Sequence, residues 1–404
     1  MAFFENNIQL EEETFTRIIK VIGVGGGGSN AVRHMYEHGI ADVDFVICNT
    51  DLQALNDNPV QNKIQLGPKL TEGLGAGTEP EQGRLAAVES AEQIREMLAD
   101  HTKMVFITAG MGGGTGTGAA PEIARIAKEL DILTVAIVTA PYSWEGSDKI
   151  NAANEGIELL QKTCDTVLIV LNDKLLEIYQ DSSILEAFSH ADDVLTNATK
   201  SVAEVITKSG KINADFMDVR KVLNNAGQAV MSTAQAKGKN RAEEVIKAAL
   251  HSPLLNNRDI KGAKRILITI ATSSENVMIV KEQQTITDYI QEAVGGRTAG
   301  TKLGYIVDET LGEDLRITLI AAGFNLQDGP VKSIAETEET EDLMYSEQQK
   351  SVSSVTIQQL IAKFTERTPS ETELEAPAFA RNHVKLIDIN KIPAFSIVER
   401  HLFD

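Results

Sequence analysis

Glycine is concentrated in three short stretches of this chain, and this clustering limits the possible folds more than any other feature of the sequence. Of the 30 glycines, 14 lie within residues 23–28, 73–77 and 110–118. Glycine has no Cβ, so its backbone turns through positive φ and approaches a bound group closely. The stretches at 23–28 and 110–118 each follow an apolar, β-branched run, as expected for turns that lead from a strand into a helix.

Apolar runs alternate with helix-compatible segments through the first part of the chain. The runs cover residues 18–24, 43–48, 104–108, 133–138 and 166–171. This alternation is typical of βαβ units, which build a mostly parallel sheet with helices on its faces. Each run ends in polar or glycine-rich residues, and ligands of open α/β sheets bind at the carboxyl ends of the strands. We therefore predict an α/β fold whose loops form one ligand crevice.

The organisation of the chain changes after residue 183. Apolar residues recur every three to four positions from 184 to about 208, which predicts one long buried core helix. Two further helical segments (242–249 and 286–294) and two strand-like runs (265–271 and 315–321) predict a smaller second domain.

The chain is thus predicted to have a series of distinct parts. They are an N-terminal extension (1–14), a Rossmann-like nucleotide-binding domain (15–183), the core helix (184–208), a smaller α/β domain (209–325), an acidic linker (326–383) and a C-terminal partner-docking peptide (384–404). Residues 326–380 carry 11 acidic and 4 basic side chains with little apolar periodicity. We expect the linker and tail to be disordered, because such a segment buries too little apolar surface to fold.

Charge and cysteine content restrict the partners and the compartment. With 38 basic and 58 acidic side chains the formal charge is −20, too acidic for a protein that tracks a nucleic-acid backbone. Cys48 and Cys164 both lie in apolar runs, which indicates core packing in a reducing compartment. The N-terminal residues lack signal-peptide character, and no apolar run approaches the about 20 residues that cross a bilayer. We expect a cytoplasmic protein with no membrane span and no nucleic-acid partner.

The glycine loops favour a nucleoside triphosphate as the ligand. Residues 23–28 fit G-x-G-x-x-G and, with Asp51 beyond them, by themselves also allow a Rossmann-type NAD-dependent oxidoreductase. Residues 110–118 add a second loop before a helix predicted to begin near Pro121, so that backbone N–H groups and hydroxyls surround phosphate oxygens. Residues 73–78 form a third candidate loop, and no Walker motif is present.

The loop at 110–118 resembles the signature loop of the tubulin/FtsZ superfamily. It contains Gly112-Gly113-Gly114-Thr115-Gly116-Thr117-Gly118, with flanks similar to those of the bacterial cell-division members. The resemblance runs from about residue 18 to 325 and includes further motifs in the family's order, at 25–30, 73–77, 172–173, 213–219, 252–255 and 321–324. It implies the tubulin/FtsZ fold and a GTPase that assembles with itself, in a GTP-dependent manner, into the cytoplasmic filaments of the bacterial division ring.

The resemblance also assigns residues to the nucleotide. It implies phosphate contacts from the two main loops, at Gly26, Gly27, Gly28, Ser29, Asn30, Gly113, Gly114, Thr115, Gly116 and Thr117. It places Ala76, Gly77 and Thr78 near the γ-phosphate, and Asn30, Asn172 and Asp192 toward the guanosine. Phe188 is expected to cover the base, and Glu145 and Lys149 are further residues expected to contact the nucleotide. The implied cofactors are GTP or GDP and Mg²⁺, with the metal held mainly by phosphates and water and not by metal-ligating side chains.

Asp192 also has support from its own surroundings in the sequence. It lies on the apolar stripe of the core helix, one turn from Phe188, and a carboxylate in such a place requires a partner. A carboxylate accepts hydrogen bonds from N1–H and the exocyclic amine of guanine, which adenine does not offer together.

Three candidate catalytic residues follow the core helix, namely Asn213, Asp215 and Asp218. At 1.5 Å per residue the helix separates Asp192 from these acids by about 24 Å, so they do not reach the phosphates of their own subunit. In the family this loop inserts into the next subunit's nucleotide site and completes it for hydrolysis. The resemblance therefore implies catalysis in trans, with a second copy of the chain as the first partner.

The C-terminal tail and a few departures from the family pattern complete the prediction. The segment from Ile392 to Phe395 resembles the core of the family's docking peptide, which binds membrane-tethering and regulatory proteins of the division ring. Ala140 and Lys149 stand where the family usually has Arg, Ser232 where Gly is common, and Thr78 where Ala is common. Lys keeps the charge of Arg but loses its bidentate fork, so a GTP-binding filament protein with little turnover is an alternative.

Overall fold

The computed structural model describes residues 17–40, 42–179, 183–207, 215–252, 255, 260–295 and 300–324. The chain divides into two compact units, 1–334 and 335–404, and every described residue belongs to the first. The predicted N-terminal extension, acidic linker and docking peptide lie outside the described residues, as does Asn213. Their boundaries remain predictions.

A parallel arrangement of strands forms the first half of the sheet, as the alternation of apolar runs predicts. These strands are β1 (Ile19–Val24), β2 (Val43–Asn49), β3 (Asn62–Gln65), β4 (Met104–Gly110), β5 (Leu133–Ala140) and β6 (Thr166–Leu171). Their order across the sheet is β3-β2-β1-β4-β5-β6, and each neighbouring pair is parallel. All their carboxyl ends therefore meet at one edge, which brings the glycine-rich turns together.

Helices cover both faces of this half of the sheet. They are α1 (Gly25–Glu37), α2 (Leu52–Asn56), α3 (Pro68–Thr71), α4 (Pro80–Glu89), α5 (Ala91–Ala99), α6 (Gly114–Glu129), α7 (Ser147–Thr163) and α8 (Asn172–Ile178). One apolar cluster packs α1 and the core helix against one face, and a second packs α4, α5, α6 and α7 against the other. A mostly parallel sheet between helices is the α/β fold that the sequence predicts.

The core helix α9 spans Ile184–Thr207 and is followed by α10 (Phe216–Leu223). Leu195, Ala198 and Val202, on the predicted apolar stripe, are buried in the first apolar cluster. The long helix forms because its apolar positions recur at helical spacing and cover the sheet. Helix α10 begins at Phe216, because the Asp215 side chain accepts a hydrogen bond from the Asp218 N–H and caps it.

The second half of the described chain extends the same sheet. It adds β7 (Gly227–Ala236), β8 (Arg265–Thr272), β9 (Gly300–Val307) and β10 (Leu315–Ala322), with α11 (Arg241–Leu250) and α12 (Val280–Val294). Within the described ranges the sheet has ten strands, and its order continues from β6 as β7-β10-β8-β9. β6 pairs with β7 in parallel, β10 is antiparallel to both β7 and β8, and β8 pairs with β9 in parallel.

The predicted start of α6 near Pro121 is wrong. The helix begins at Gly114 and Pro121 lies inside it. The preceding Gly and Thr residues are poor helix formers, but close packing outweighs their propensity. A Cβ on Gly118 would lie 1.8 Å from the Pro80 carbonyl oxygen, and one on Gly83 would lie 2.3 Å from the Gly114 carbonyl oxygen. Glycine at these positions lets α4 and α6 touch through their backbones.

Candidate functional site

An open cleft of about 760 Å³, counted with the solvent at its mouth, lies at the carboxyl edge of the parallel strands. The loops after β1, β4, β5 and β6 line it together with one face of α9. Its lining residues are Gly27, Asn30, Gly110, Met111, Gly113, Thr139, Pro141, Glu145, Lys149, Asn172, Phe188, Ala191, Asp192 and Leu195. The crevice expected from the strand ends is therefore present, and it includes predicted residues from both main glycine loops and from α9.

The loop between β1 and α1 exposes backbone to this cleft. Gly26 and Gly27 are exposed, and a Cβ on Gly26 would meet nothing within 4 Å. Gly28 has a different role, because its Cβ would lie 2.3 Å from the Thr108 carbonyl oxygen and would separate α1 from β4. Ser29 is buried, and its Oγ has no hydrogen-bond partner within the described protein. Free N–H groups and the helix dipole make this N-terminus suited to an anion.

The loop between β4 and α6 meets the first loop directly. A Cβ on Gly25 would lie 2.8 Å from the Gly116 nitrogen, so the two turns are in backbone contact. Gly113 stands before the first residue of α6, and a Cβ there would meet nothing within 4 Å. Two helix N-termini with exposed glycine backbone thus lie side by side, which suits a run of phosphates better than a single one.

The two threonines of this loop hold it together. The Thr117 hydroxyl is buried and accepts a hydrogen bond from the Gly112 N–H at 2.8 Å. Thr115 Oγ1 lies 2.7 Å from Thr50 Oγ1, which ties the loop to the end of β2. A Cβ on Gly116 would lie 2.6 Å from the Gly110 carbonyl oxygen. None of Thr115, Gly116 and Thr117 is among the residues that line the cleft.

The third predicted loop, residues 73–78, lies beside the second. It is anchored to the end of β2, since the Leu52 N–H donates to the Gly73 carbonyl at 3.0 Å and the Gly75 N–H to the Thr50 carbonyl at 3.3 Å. Ala76 is buried against the second loop, where a Cβ on Gly114 would come within 3.0 Å of it. Gly77 and Thr78 are exposed and do not line the cleft. Thr78 has φ of +64°, a conformation unusual for a β-branched residue.

Glu145 and Lys149 form an ion pair on one wall of the cleft. Glu145 Oε2 accepts from Lys149 Nζ at 3.0 Å, and Glu145 Oε1 accepts from the Tyr142 N–H at 2.9 Å. Tyr142 is fully buried, stacks on Trp144 and meets the edge of the Phe188 ring. Burial, with Asp173 and Glu145 nearby, raises the pKa of Tyr142. The two charged side chains are thus held by neighbours from the same turn.

Asn30 and Asn172 present amides to the cleft. Asn30 Oδ1 accepts from Arg33 Nη2 at 2.7 Å, which fixes the amide and keeps a cation beside it. Asn172 is 5% exposed, and its Oδ1 has no hydrogen-bond partner within the described protein. A buried amide oxygen without a partner is costly, so an unpaired one at a cleft wall indicates a ligand that supplies the donor.

Asp192 and Phe188 project from the first turns of α9. Asp192 lines the cleft between Ala191 and Leu195, and its burial, with the nearby charge of Asp193, raises its pKa to about 7. Arg33 acts in the opposite direction and does not compensate. The carboxylate is therefore close to half-protonated at neutral pH and gains from a ligand with two adjacent N–H donors. Phe188 is 45% exposed beside it, as expected of a ring that covers a flat group.

Asp215 and Asp218 lie near the amino ends of the parallel strands, on the side of the sheet opposite to the cleft. In the same helix Arg220 pairs with Asp131 at 2.7 Å, and Asp131 lies two residues before the amino end of β5. Asn225, after the helix, donates its N–H to Asp165, which precedes β6. The cleft is at the carboxyl ends of these strands, and an eight-residue strand such as β5 spans about 26 Å. The structure separates these acids from the predicted nucleotide residues that line the cleft, which are Gly27, Asn30, Gly113, Glu145, Lys149, Asn172, Phe188 and Asp192.

Sequence reasoning did not assign several residues of the cleft wall, namely Met111, Thr139, Ala191 and Leu195. Ala191 and Leu195 were identifiable, because they share the helical face of Phe188 and Asp192 at spacings of three and four. Thr139 lies near the carboxyl end of β5, in a run that reads as apolar core. Nothing in the sequence distinguishes this threonine from the buried Thr134 of the same strand.

The residues present fit a guanine nucleotide. The open glycine backbones and helix N-termini suit phosphates, the unpaired Asn172 amide and Ser29 hydroxyl lack partners that a ligand supplies, and Asp192 suits a guanine edge. Among the described residues no group of three or more His, Cys, Asp or Glu side chains is arranged to hold a metal ion. None of the described helices is both long and apolar enough to span a bilayer.

Comparison with known proteins agrees with this site. Residues 18–180 match the family model for the GTPase domain of the tubulin/FtsZ family, and residues 227–325 match the C-terminal domain of the FtsZ family. The cell division protein FtsZ of Porphyromonas gingivalis is 49% identical over 76% of this chain and 67% of its own length. FtsZ of Pseudomonas putida is 44% identical over 81% of this chain and 82% of its own length.

A solved structure of an FtsZ dimer from M. jannaschii has the same fold. It superposes with a TM-score of 0.73 at 39% identity and covers 78% of this chain and 90% of that chain. Fold, glycine loops and matched domains together define a tubulin-like GTPase. Within that class the chain belongs to the FtsZ family.

Proposed function

We propose that this protein binds GTP in the cleft, assembles head to tail with copies of itself, and hydrolyses GTP at the contacts between subunits. The observation that carries the proposal is the separation of the nucleotide cleft from Asp215 and Asp218 by the length of the sheet. Acids near the amino ends of the strands reach a cleft at the carboxyl ends only if they belong to a second subunit. A head-to-tail contact of this kind repeats along an open filament.

The loops after β1 and β4 would hold the phosphates through backbone N–H groups at Gly26, Gly27 and Gly113. Thr115 and Thr117 keep the second turn in place through their hydroxyls, and the Ser29 hydroxyl, unpaired within the described protein, would bind the phosphates. Ala76, Gly77 and Thr78 would lie toward the γ-phosphate. Mg²⁺, held mainly by phosphates and water, would neutralise phosphate charge when bound. The FtsZ-family match favours GTP over the dinucleotide that G-x-G-x-x-G alone allows.

Selection of guanine would rest on Asp192, with Asn30 and Asn172 fixing the nucleoside and Phe188 covering the base. Glu145 and Lys149 form a charged pair on the wall formed by the turn after β5. An ionised carboxylate accepts from N1–H and the exocyclic amine of guanine. Adenine leaves that carboxylate without a partner, which costs binding energy.

Hydrolysis would use Asp215 and Asp218, with Asn213, from the neighbouring subunit. In phosphoryl transfer the protein contributes mainly positioning and electrostatics, and carboxylates orient the attacking water. Asp215 is already fixed as the cap of α10. Its geometry is therefore set before the subunits meet.

A mixing experiment tests catalysis in trans. Asp192→Asn removes guanine binding, and the double variant Asp215→Asn/Asp218→Asn removes the acids while Asn still caps α10. Each variant alone should release no phosphate from GTP. An equal mixture should regain about a quarter of the wild-type rate, because one contact in four joins an intact cleft to intact acids. No recovery in a mixture that still assembles would refute the proposal.

A second candidate function is a GTP-binding filament protein with little turnover. It is favoured by Ala140 and Lys149, which replace arginines usual in the family, and by the left-handed conformation of Thr78. Phosphate release measured against protein concentration distinguishes the two. A rate per subunit that rises cooperatively indicates turnover at contacts, whereas GTP-dependent light scattering without phosphate release favours the second candidate.

We further propose that the filaments act at the bacterial division site in the cytoplasm. The tail around Ile392 to Phe395 would bind membrane-tethering and regulatory proteins, and the acidic linker would separate that tail from the filament. Support comes from family membership and from the tail motif in the sequence. Deletion of residues 384–404 should abolish recruitment to the membrane while leaving assembly with GTP intact.

A further inference from the structure

Lys302 pairs with Asp218, one of the acids that the proposed function assigns to the neighbouring subunit's nucleotide. The ion pair joins Lys302 Nζ to Asp218 Oδ1. Lys302 belongs to β9, the strand at the edge of the sheet, and is in register with Leu267 of β8. The carboxylate is therefore held by a rigid element of the second half of the molecule.

The helix that carries Asp218 is anchored on two sides. Arg220 connects it to Asp131 at the amino end of β5, and Lys302 connects it to β9. The helix buries its own residues Val219, Val222 and Leu223, while Met217 is 64% exposed. The exposed face of α10 is thus set by anchors in both halves of the molecule.

The pair is placed so that it stays accessible to a neighbouring subunit. The side chains of Lys302 and Asp218 are 35% and 31% exposed. A carboxylate that approaches a triphosphate meets strong like-charge repulsion, and an adjacent ammonium reduces it. An ion pair also limits the rotamers of the aspartate, which favours one orientation toward an incoming water.

We propose that Lys302 is a positioning residue for GTP hydrolysis in trans, which orients Asp218 and offsets its charge as it enters the next subunit's cleft. This inference rests on the proposed function. Lys302 acts through the carboxylate and is not itself required to touch the nucleotide.

The test compares variants by phosphate release and by sedimentation of filaments with GTP and Mg²⁺. Lys302→Met should lower the turnover of assembled subunits about three- to fivefold, the size expected from loss of one exposed ion pair. Lys302→Arg should restore most of the rate, because the cation is kept. The critical concentration for assembly should change less than twofold, so the effect falls on turnover and not on the amount of polymer.

Lys247→Met provides a matched control. Lys247 pairs with Glu243 on α11, in the same half of the molecule and at a side-chain exposure of 50%, so the same charge is lost away from α10. This variant should retain the wild-type turnover.

The outcomes separate the inference from the proposed function. Wild-type or higher turnover in Lys302→Met, with Asp218→Asn inactive, overturns the role of Lys302 and leaves catalysis in trans standing. Loss of turnover that Lys302→Arg does not restore also overturns it. Wild-type turnover in Asp218→Asn overturns both, because Lys302 then has no catalytic carboxylate to position.

Discussion

At the scale of single residues, the glycines of the two phosphate-facing loops fall into two groups. Gly26 and Gly113 face open space, whereas Gly28, Gly116 and Gly118 permit close contact between backbones. The sequence shows only that glycine is abundant there. What each glycine does depends on the atoms that lie opposite it, and those come from elements distant in the chain.

A pair of glycine variants separates the two roles. Gly118→Ala should destabilise the protein by about 3 kcal/mol, because its methyl group would overlap the Pro80 carbonyl. Gly113→Ala should leave the free energy of unfolding nearly unchanged and weaken nucleotide binding, since its methyl group would project into open space at the cleft. Urea unfolding and titration with a fluorescent GTP analogue measure the two effects. Equal stability of both variants would contradict the assignment.

Asp192 gives nucleotide binding a dependence on pH. Burial raises its pKa from 3.8 to about 7 in the free protein, and guanine requires the ionised form. Below this pKa the affinity for GTP should fall about tenfold for each unit of decrease in pH, because the protonated carboxyl must release its proton when GTP binds. Above about pH 8 affinity should level off. Calorimetric titration in buffers of different ionisation enthalpy counts the proton released.

Two variants serve as comparisons for that experiment. Asp192→Asn should bind GTP weakly at every pH, and Asp193→Asn, which removes a neighbouring charge that raises the pKa of Asp192, should shift the profile to lower pH. Affinity that does not change between about pH 6 and about pH 8 would contradict the role of Asp192.

At the scale of elements, Asp308 shows how one carboxylate connects β9, a short turn and β10. Its Oδ1 accepts from Thr310, and its Oδ2 pairs with Arg316 at 2.6 Å. Burial would raise its pKa, but the hydrogen bonds from Thr310 and Arg316 outweigh burial and lower it to about 2. The folded state thus favours the ionised carboxylate more strongly than the unfolded chain does.

The sign of this shift predicts acid sensitivity. The stabilisation is complete above pH 3.8, the unfolded pKa, and disappears as the pH falls through about 2. Asp308→Asn should lose about 2 kcal/mol at neutral pH and should show less acid dependence in this window. Thermal unfolding as a function of pH measures it, with Glu309→Gln as an exposed neighbour. An unchanged acid dependence in Asp308→Asn would show that other carboxylates control it.

Sequence patterns did not predict the strands β7 and β9 or the start of α6. β7 and β9 contain Gly, Gln, Ser, Thr and Lys at positions that a purely apolar pattern does not select. They form strands because β10 and β8 supply hydrogen-bond partners. In α6, contact with a distant element also outweighs the local sequence preference. Packing against α4 allows the helix to include glycines and Pro121, which are poor helix formers.

At the scale of the whole molecule, one sheet runs from the strands that border the cleft to β9, which carries Lys302. Each subunit carries a formal charge of −20, and the proposed head-to-tail contact brings two such subunits together. Like charges repel over a Debye length, which shortens from about 30 Å at about 0.01 M salt to about 10 Å at about 0.1 M.

Assembly should therefore respond to ionic strength. With GTP and constant Mg²⁺, the critical concentration should fall as monovalent salt rises from about 0.01 M to about 0.1 M, because screening weakens repulsion between acidic subunits. Light scattering and sedimentation measure the polymer, with GDP as the nucleotide control. A critical concentration that rises over this range would show that attractive charge pairs dominate the contact.

The sequence by itself determined the fold class, and it predicted a nucleotide ligand in a cleft at the strand ends. Apolar alternation predicts the parallel strands, the glycine motifs predict the phosphate loops, and helical spacing places Phe188 and Asp192 on one face. These features are local, so they are readable from neighbouring residues.

Only the tertiary structure decided which residues meet. It separated glycines that face the cleft from those that pack, left the Asn172 oxygen unpaired at the cleft wall, and set Asp215 and Asp218 at the far edge of the sheet. It also paired Asp218 with Lys302, across more than eighty residues of chain. Such contacts depend on how distant elements pack, and packing is a property of the folded chain as a whole.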